Sequence, residues 1–303
     1  RGTMETKPNR KDKSRFKVKE FNCYQCSSKN SITVATQDDI RFRCYGHEKS
    51  VLKCDTCRLV QLYPQWTEEE LDDLYDSYNQ KGDFKGYKPK NEYRYYLEDY
   101  LSRSHKVLEI GCGRGYEVKR LREVGFNVVG IDKDPSVCDG VIVKNYDYRD
   151  YKSEEKFDFI YAIHVFEHVL DPTEFITWVL NNLKPGGEFL LEFPNVDDPL
   201  LTLYKNKAFK KFYWYPYHVF FYNARSITNI FSRFPNVKVK AKLSQRYNLI
   251  NHLRWLLFGK PGNWNFKIPI VDHIYHFILK RIFKKSDTMI IHGTKDEKYM
   301  LHE

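Results

Sequence analysis

From Lys106 onward, short runs of apolar residues alternate with stretches whose apolar positions recur every three or four residues. The short runs predict strands at 107–110, 127–131, 141–143, 157–161, 188–193, 237–243 and 288–293. The second pattern predicts amphipathic helices near 116–124, 172–182 and 224–231. Strands that are apolar throughout belong to a largely parallel sheet covered on both faces, so the expected class is α/β. Asp171-Pro172-Thr173-Glu174 starts one helix with Asp as N-cap, Pro at the first position and Glu at the third. Upstream, Thr67 and Glu70 form a capping box that opens a helix through about Tyr78, and a further helix is expected at 91–102.

Two stretches break the alternation, 197–222 and 244–285. Insertions at strand ends are where specificity is expected to reside. The expected organisation is a basic arm or appended tag at 1–20, a small module at 21–64, a helical lead-in at 65–105, and a main domain at 106–303 that carries both insertions.

Charge sharpens this division. Leu203 to Lys285 holds 17 Lys or Arg against one acid, Asp272, in a chain of net charge +10. A cationic segment on an acidic body points to an anionic partner: a phosphorylated substrate, a nucleic acid or an anionic membrane surface. A solvated basic face is the plainer alternative. No apolar run reaches the roughly 18 residues needed to cross a bilayer, and the N-terminal residues lack the apolar core of a signal segment, so the expected location is cytoplasmic. In a reducing compartment, two C-x-x-C pairs among seven cysteines, Cys23/Cys26 and Cys54/Cys57, suggest metal rather than disulfides. Each pair can form a tight knuckle, and two knuckles can converge on one tetrahedral zinc. Four thiolates leave no open position, so the expected role is structural. Cys44 and His47, in the loop between the pairs, could replace one ligand, although packing is the expected job of both.

Val107-Leu-Glu-Ile-Gly111-Cys-Gly113-Arg-Gly115 reads as a buried strand entering a glycine turn and then a helix. A ligand lying against main chain needs glycines there, because positive φ angles are cheap only without a Cβ. The spacing is G-x-G-x-G rather than the G-x-G-x-x-G of dinucleotide sites. Asp132 closes the next strand, where an acid accepts hydrogen bonds from both ribose hydroxyls of any nucleoside cofactor.

V-L-E-I-G-C-G-x-G is followed by G-I-D, by Phe157-Asp158-Phe-Ile, by Phe166-Glu167-His168-Val169 with Asp171-Pro172, and by Leu183-Lys-Pro-Gly-Gly187. In this order the motifs resemble the class I S-adenosylmethionine-dependent methyltransferases over roughly Lys106 to Phe193. The resemblance implies an α/β fold with the Rossmann-like, seven-stranded methyltransferase sheet, and S-adenosylmethionine as cofactor. By it, Glu109 with Gly111, Gly113 and Gly115 holds the methionine end and Asp132 the ribose. Asp147 or Tyr148 lies beside the adenine, and Ile163 or His164 borders the cofactor at the end of the fourth strand. Glu167-His168 reads as a structural helix start.

Trp214-Tyr-Pro-Tyr217-His218-Val-Phe-Phe-Tyr222, together with the cysteine module, is similar to zinc-binding sugar C-methyltransferases that act on nucleotide-linked ketosugars. In those enzymes a Glu-His pair followed by aromatics occupies this place, and its His is the proposed base. The match falls on His218, but Tyr217 stands for the glutamate, which makes sugar O-methylation or another acceptor as plausible as proton abstraction from carbon. Tyr222 is a further substrate-lining candidate. Arg246, His252, Arg254 and Lys260 are the candidates for gripping substrate phosphate, to which an arginine fork is well suited. The expected function is therefore methyl transfer to a phosphate-bearing, nucleotide-linked sugar. An RNA or other nucleic-acid acceptor is one alternative, though the Asn/Asp-Pro-Pro-aromatic signature for base amino groups is missing after Tyr161. A lipid-linked acceptor is another, because Tyr275 to Lys285 is basic and amphipathic enough for peripheral membrane contact. A cofactor-binding partner subunit without chemistry is the third.

Overall fold

The computed structural model describes residues 21–40, 48–81, 94–261 and 268–297, with backbone alone for 77–81. Cys44, His47 and Gly262, and the first three residues of the helix expected at 91–102, lie outside the described residues.

Strands β1 (Ser31–Ala35), β2 (Ser50–Cys54) and β3 (Val60–Tyr63) form an antiparallel N-terminal sheet, followed by helix α1 (Glu68–Lys81). The main domain then runs β4 (Lys106–Ile110), α2 (Tyr116–Glu123), β5 (Asn127–Asp132), β6 (Val143–Asn145), β7 (Phe157–Ile163), α3 (Pro172–Asn182) and β8 (Leu183–Pro194). After β8 come α4 (Pro199–Thr202), α5 (Lys207–Tyr213), β9 (Phe220–Phe221), α6 (Ala224–Phe231) and β10 (Val237–Ser244). Helices α7 (Leu249–Phe258) and α8 (Pro269–Phe277) precede the last strand, β11 (Thr288–Lys295).

The seven-stranded sheet has the order β10-β11-β8-β7-β4-β5-β6, with β11 antiparallel to both of its neighbours. All seven expected strands are present, so the expected α/β seven-stranded sheet with a small N-terminal module is the observed architecture. Strand β6 begins two residues later than expected, because Val141 is 75% exposed and only Val143 turns inward. The helix expected at 91–102 is a 3-10 turn at Tyr95–Asp99. Only Leu97 of that turn is buried, too little apolar surface to hold a longer helix.

Alternate residues of the central strands supply two cores. Leu108, Ile110, Ile160 and Ala162 pack on the face shared with α3 and the N-terminal module, whereas Val107, Phe159 and Tyr161 pack on the α2 face. Such strands alternate in direction of side chain but not in polarity, which is why their sequence reads as continuous apolar runs.

Strand β9 was not expected. It arises in the insertion after β8, yet it pairs with β3, Gln61 opposite Phe220 and Val60 opposite Phe221, and so completes the N-terminal sheet. Phe220 and Phe221 are buried, with Tyr24 5.0 Å from Phe220 and Trp214 4.8 Å from Phe221 between ring centres. Burial of such rings dominates the energetics of this seam. The Trp66 indole adds a bond to the Pro216 carbonyl at 2.7 Å. No helix among the described residues is long and apolar enough to cross a membrane.

Candidate functional site

Strand order reverses between β4 and β7, which opens a crevice at the carboxyl ends of β4, β5 and β7. The glycine turn lies there. Gly111, Gly113 and Gly115 all have positive φ, at 66°, 53° and 66°. A Cβ on Gly111 would meet Val165 at 2.4 Å and one on Gly115 would meet Val143 at 2.4 Å, whereas one on Gly113 would meet nothing within 4 Å. Two of these glycines therefore let the turn pack against its own protein, and the third leaves bare main chain facing open space. Asp132, at the end of β5, accepts from Gly113 N at 2.8 Å and from Asp134 N at 2.9 Å. Burial raises its pKa more than these donors lower it. The cradle and its opposing carboxylate fit a nucleoside whose sugar rests across from main chain.

Glu109 lies behind the turn, 5% exposed, and accepts from the Tyr161 hydroxyl at 2.9 Å. Burial pushes its pKa up to about 8, helped by Glu117 and Asp132 and opposed by the tyrosine. Its carboxyl is thus poised to ionise when a cationic group, such as an ammonium, arrives beside it. Ile163 and His164 follow at the end of β7, and His164 holds a left-handed φ of 56°. Asp147 and Tyr148, expected beside an adenine, are engaged elsewhere in part. Asp147 accepts from Arg149 at 3.0 Å, and Tyr148 stands edge-on to Phe175 at 5.0 Å and Trp178 at 5.7 Å.

On the β7 side of the crevice, the 3-10 turn Phe166–His168 presents Glu167 and His168. Val219 N donates to Glu167 O at 2.8 Å, and this clamps the segment before β9 against the turn and brings His218 beside both residues. The His168 and His218 rings meet edge to face at 4.8 Å, and Tyr217 stacks on His168 at 5.6 Å. One ligand atom from each of Glu167, His168 and His218 lies within 4.8 Å of the others. Helix α1 covers the cluster: the Tyr75 hydroxyl is 2.7 Å from His168 Nδ1, while Asp72 and Glu68 pair with Lys133 and Arg149 across the crevice. Burial opposes ionisation of Glu167, but the bond from His164 and the surrounding imidazoles outweigh it and hold the carboxyl at about 2. Enclosure by aromatic rings, with His168 adjacent, pushes His218 down to about 3.

The expected phosphate-gripping set is not assembled. Arg246 lies near the crevice but is paired, with Nη1 3.0 Å from His164 Nε2 and 3.6 Å from Glu192, and Nε 3.9 Å from Asp287. His252 is 1% exposed and bonded between Gln245 and Tyr275, which makes it a core group. Arg254 is half-buried on α7 against Phe258, and Lys260 is exposed just beyond the C-terminal end of that helix. Tyr222 corrects the substrate-lining expectation: it is fully buried, stacked on Phe166 at 4.8 Å with its hydroxyl on the Phe166 carbonyl. Sequence reasoning missed Tyr75, Arg94, Glu192 and Asp287. Glu192, near the end of an otherwise apolar strand, is buried against Arg94, Tyr96, Arg246 and His164. An acid in that setting was the available signal.

The four expected metal-ligating cysteines do converge. Sγ of Cys23 lies 3.4 Å from that of Cys57 and Sγ of Cys26 lies 3.5 Å from that of Cys54, with all four within 4.8 Å of one another. Disulfide sulfurs sit at about 2.05 Å, whereas the edge of a tetrahedron with zinc–sulfur bonds of about 2.3 Å is roughly 3.8 Å. The knuckles close through Ser27 N on Cys23 O at 2.9 Å and Arg58 N on Cys54 O at 3.1 Å. Burial pushes the Cys23 thiol up to about 11 and the Cys57 thiol further, so a cation is what would draw their protons off. The residues present fit a structural zinc.

Fold, glycine turn and carboxylates together define a class I S-adenosylmethionine-dependent methyltransferase domain. Residues 84–234 match the family model described as a methyltransferase domain, and the chain belongs with that family. A probable S-adenosylmethionine-dependent methyltransferase of Mycolicibacterium smegmatis is 32% identical over 97 residues, 29% of this chain and 38% of that protein. The human mitochondrial ubiquinone biosynthesis O-methyltransferase is 34% identical over 102 residues, 28% of each chain. The chain spans less than half the length of these curated relatives. The structure of a SAM-dependent methyltransferase from Archaeoglobus fulgidus superposes with a TM-score of 0.45 at 22% identity, covering 67% of this chain and 90% of that one.

The raised pKa of Glu109 sets a pH dependence. A carboxyl whose folded pKa lies above its unfolded value contributes stability below about pH 4.5, and this is lost as pH rises through 8. Glu109→Gln removes the titration, so its melting temperature relative to wild type should climb between pH 5 and 8.5. A difference that stays flat by calorimetry contradicts the assignment.

Proposed function

We propose that the protein transfers the methyl group of S-adenosylmethionine to a hydroxyl of a phosphate-bearing, nucleotide-linked sugar. The observation that carries methyl transfer is the bare main chain at Gly113 facing Asp132, with Glu167, His168 and His218 across the same crevice, and the sugar is read from the resemblance carried by Trp214 to Tyr222 and the cysteine module. The bound cofactor supplies an electrophilic methyl on sulfur, and methyl transfer is an in-line displacement that rewards alignment above all. The chain's own residues do the aligning. The glycine turn and Asp132 hold the nucleoside, Glu109 meets the cationic methionine end, and α1 shields the crevice through Tyr75, Asp72 and Glu68.

Oxygen is favoured over carbon as acceptor. Abstraction from carbon needs a base matched to the working pH, and a histidine held at about 3 does not retain a proton near neutrality. Tyr217, where the similar enzymes carry glutamate, supplies no carboxylate either. His218 thus reads as a neutral group facing the acceptor rather than as its base.

A lipid-linked acceptor is the second reading, and one surface favours it. On α7, α8 and the turn after them, Leu257 is 72% exposed, Phe258 63%, Ile270 77%, Phe277 54% and Ile282 65%. Lys260, Lys280, Arg281, Lys284 and Lys285 border these side chains, the combination that settles into an anionic membrane surface.

Two measurements test these readings. Calorimetry should show uptake of S-adenosylhomocysteine, and Asp132→Ala should weaken it at least about tenfold through loss of charge-assisted hydrogen bonds. No uptake by the wild type contradicts methyl transfer. Vesicles containing phosphatidylglycerol should sediment the protein where phosphatidylcholine vesicles do not, and the double substitution Ile270→Asp, Phe277→Asp should abolish this. Failure of the anionic vesicles to sediment the protein removes the lipid-linked reading and leaves the soluble acceptor.

A further inference from the structure

We propose that Glu167, His168 and His218 bind one divalent transition-metal cation, distinct from the four-cysteine site, and that this cation holds the acceptor's hydroxyl oxygen.

Three observations converge. First, Glu167 is 2% exposed, and its Oε2 is buried without a hydrogen-bond partner among the described residues. A buried carboxylate oxygen left unpaired is costly, and a coordinated cation is one of the few things that removes the cost. Second, the other oxygen is already committed. Arg246 Nη1 donates to His164 Nε2 at 3.0 Å, which places the His164 proton on Nδ1, and that nitrogen meets Glu167 Oε1 at 3.2 Å. His168 Nε2 lies 3.9 Å from that same Oε1, so the carboxylate that His164 fixes is held beside His168 while Oε2 stays unpaired. Third, one ligand atom from each of the His168 and His218 imidazoles lies within 4.8 Å of Glu167 and of the other, the spacing of a shared ligand set. Tyr75 completes the arrangement by bonding the far nitrogen of His168, the outer hydrogen bond that metal-bound histidines characteristically make.

Two imidazoles and one carboxylate select manganese, iron, cobalt or zinc over calcium and magnesium, which prefer oxygen donors. Three protein ligands also leave positions open, unlike the four-cysteine cluster. An alcohol oxygen taken up at such a position becomes more acidic. It releases its proton to water and forms a bond to the methyl carbon as the carbon–sulfur bond breaks and its electron pair stays on sulfur. The products are the methyl ether, the thioether and one proton. Loss of the proton to water then needs no side-chain base. The role in transfer rests on the methyltransferase reading, whereas the cation site itself does not.

The test uses the full chain with one zinc per molecule, titrated with manganese(II) and followed by loss of the free-ion electron paramagnetic resonance signal. The expected result is one manganese bound per chain, affinity lowered at least about tenfold in Glu167→Gln and in His218→Gln, and about tenfold in Tyr75→Phe, which touches only the outer bond. Wild-type protein that binds no manganese overturns the proposal, as does manganese affinity in Glu167→Gln and His218→Gln equal to wild type. A parallel titration with S-adenosylhomocysteine separates the two claims. Uptake of the nucleoside without manganese overturns the cation site and leaves methyl transfer intact, while manganese uptake without the nucleoside upholds the site and removes the transfer reading.

Discussion

Val219 is bonded on both sides of its peptide, and the organisation of the crevice follows from that. Its N–H donates to Glu167 O at 2.8 Å, and its C=O accepts from Leu62 N at 2.9 Å. The first bond belongs to the turn that ends β7, the second to the sheet built on the cysteine knuckles. One residue thus couples the cysteine module to the β7 side of the crevice, and His218 is the side chain immediately before it. Both bonds are buried among aromatic rings, where an unpaired main-chain group costs more than the bond itself contributes. The module is therefore part of the frame of the crevice rather than an appendage.

Charge organises the other half of the crevice. Glu192, Asp287 and Glu167 are buried carboxylates at or near the ends of neighbouring strands, and Arg94, Arg246 and His164 are threaded between them. Paired charges of this kind contribute little net stability, because desolvation nearly cancels the attraction, but removing one partner is severe. Their value lies in direction. Arg246 fixes the tautomer of His164, His164 fixes the rotation of Glu167, and Glu167 faces the two remaining histidines.

Much of this was legible along the chain, and the limits have physical causes. The seven strands, the glycine turn with Asp132, and the two cysteine knuckles depend on near neighbours, so period and spacing disclose them. β9 does not, because two phenylalanines carry no period and their partner strand lies some 160 residues earlier. Arg246 looked like a phosphate ligand within a cationic stretch, because the carboxylates that occupy it come from β8 and from the residue before β11. Tyr222 looked like a site aromatic because it sits near His218 in sequence, yet every residue from Val219 to Tyr222 is buried and Tyr222 stacks on Phe166 in the core. Glu167-His168 looked like a helix start, and its local geometry is indeed a 3-10 turn. Only Val219 and Tyr75, from two distant elements, give it the company of His218 and a hydroxyl.

The coupling through Val219 can be read directly by amide hydrogen exchange before and after metal is stripped from the cysteine module. The account predicts that the Val219 and Leu62 amides lose protection together with the knuckles, while amides of β4 and β7 keep theirs. Unchanged protection at Val219 in the stripped protein would contradict it.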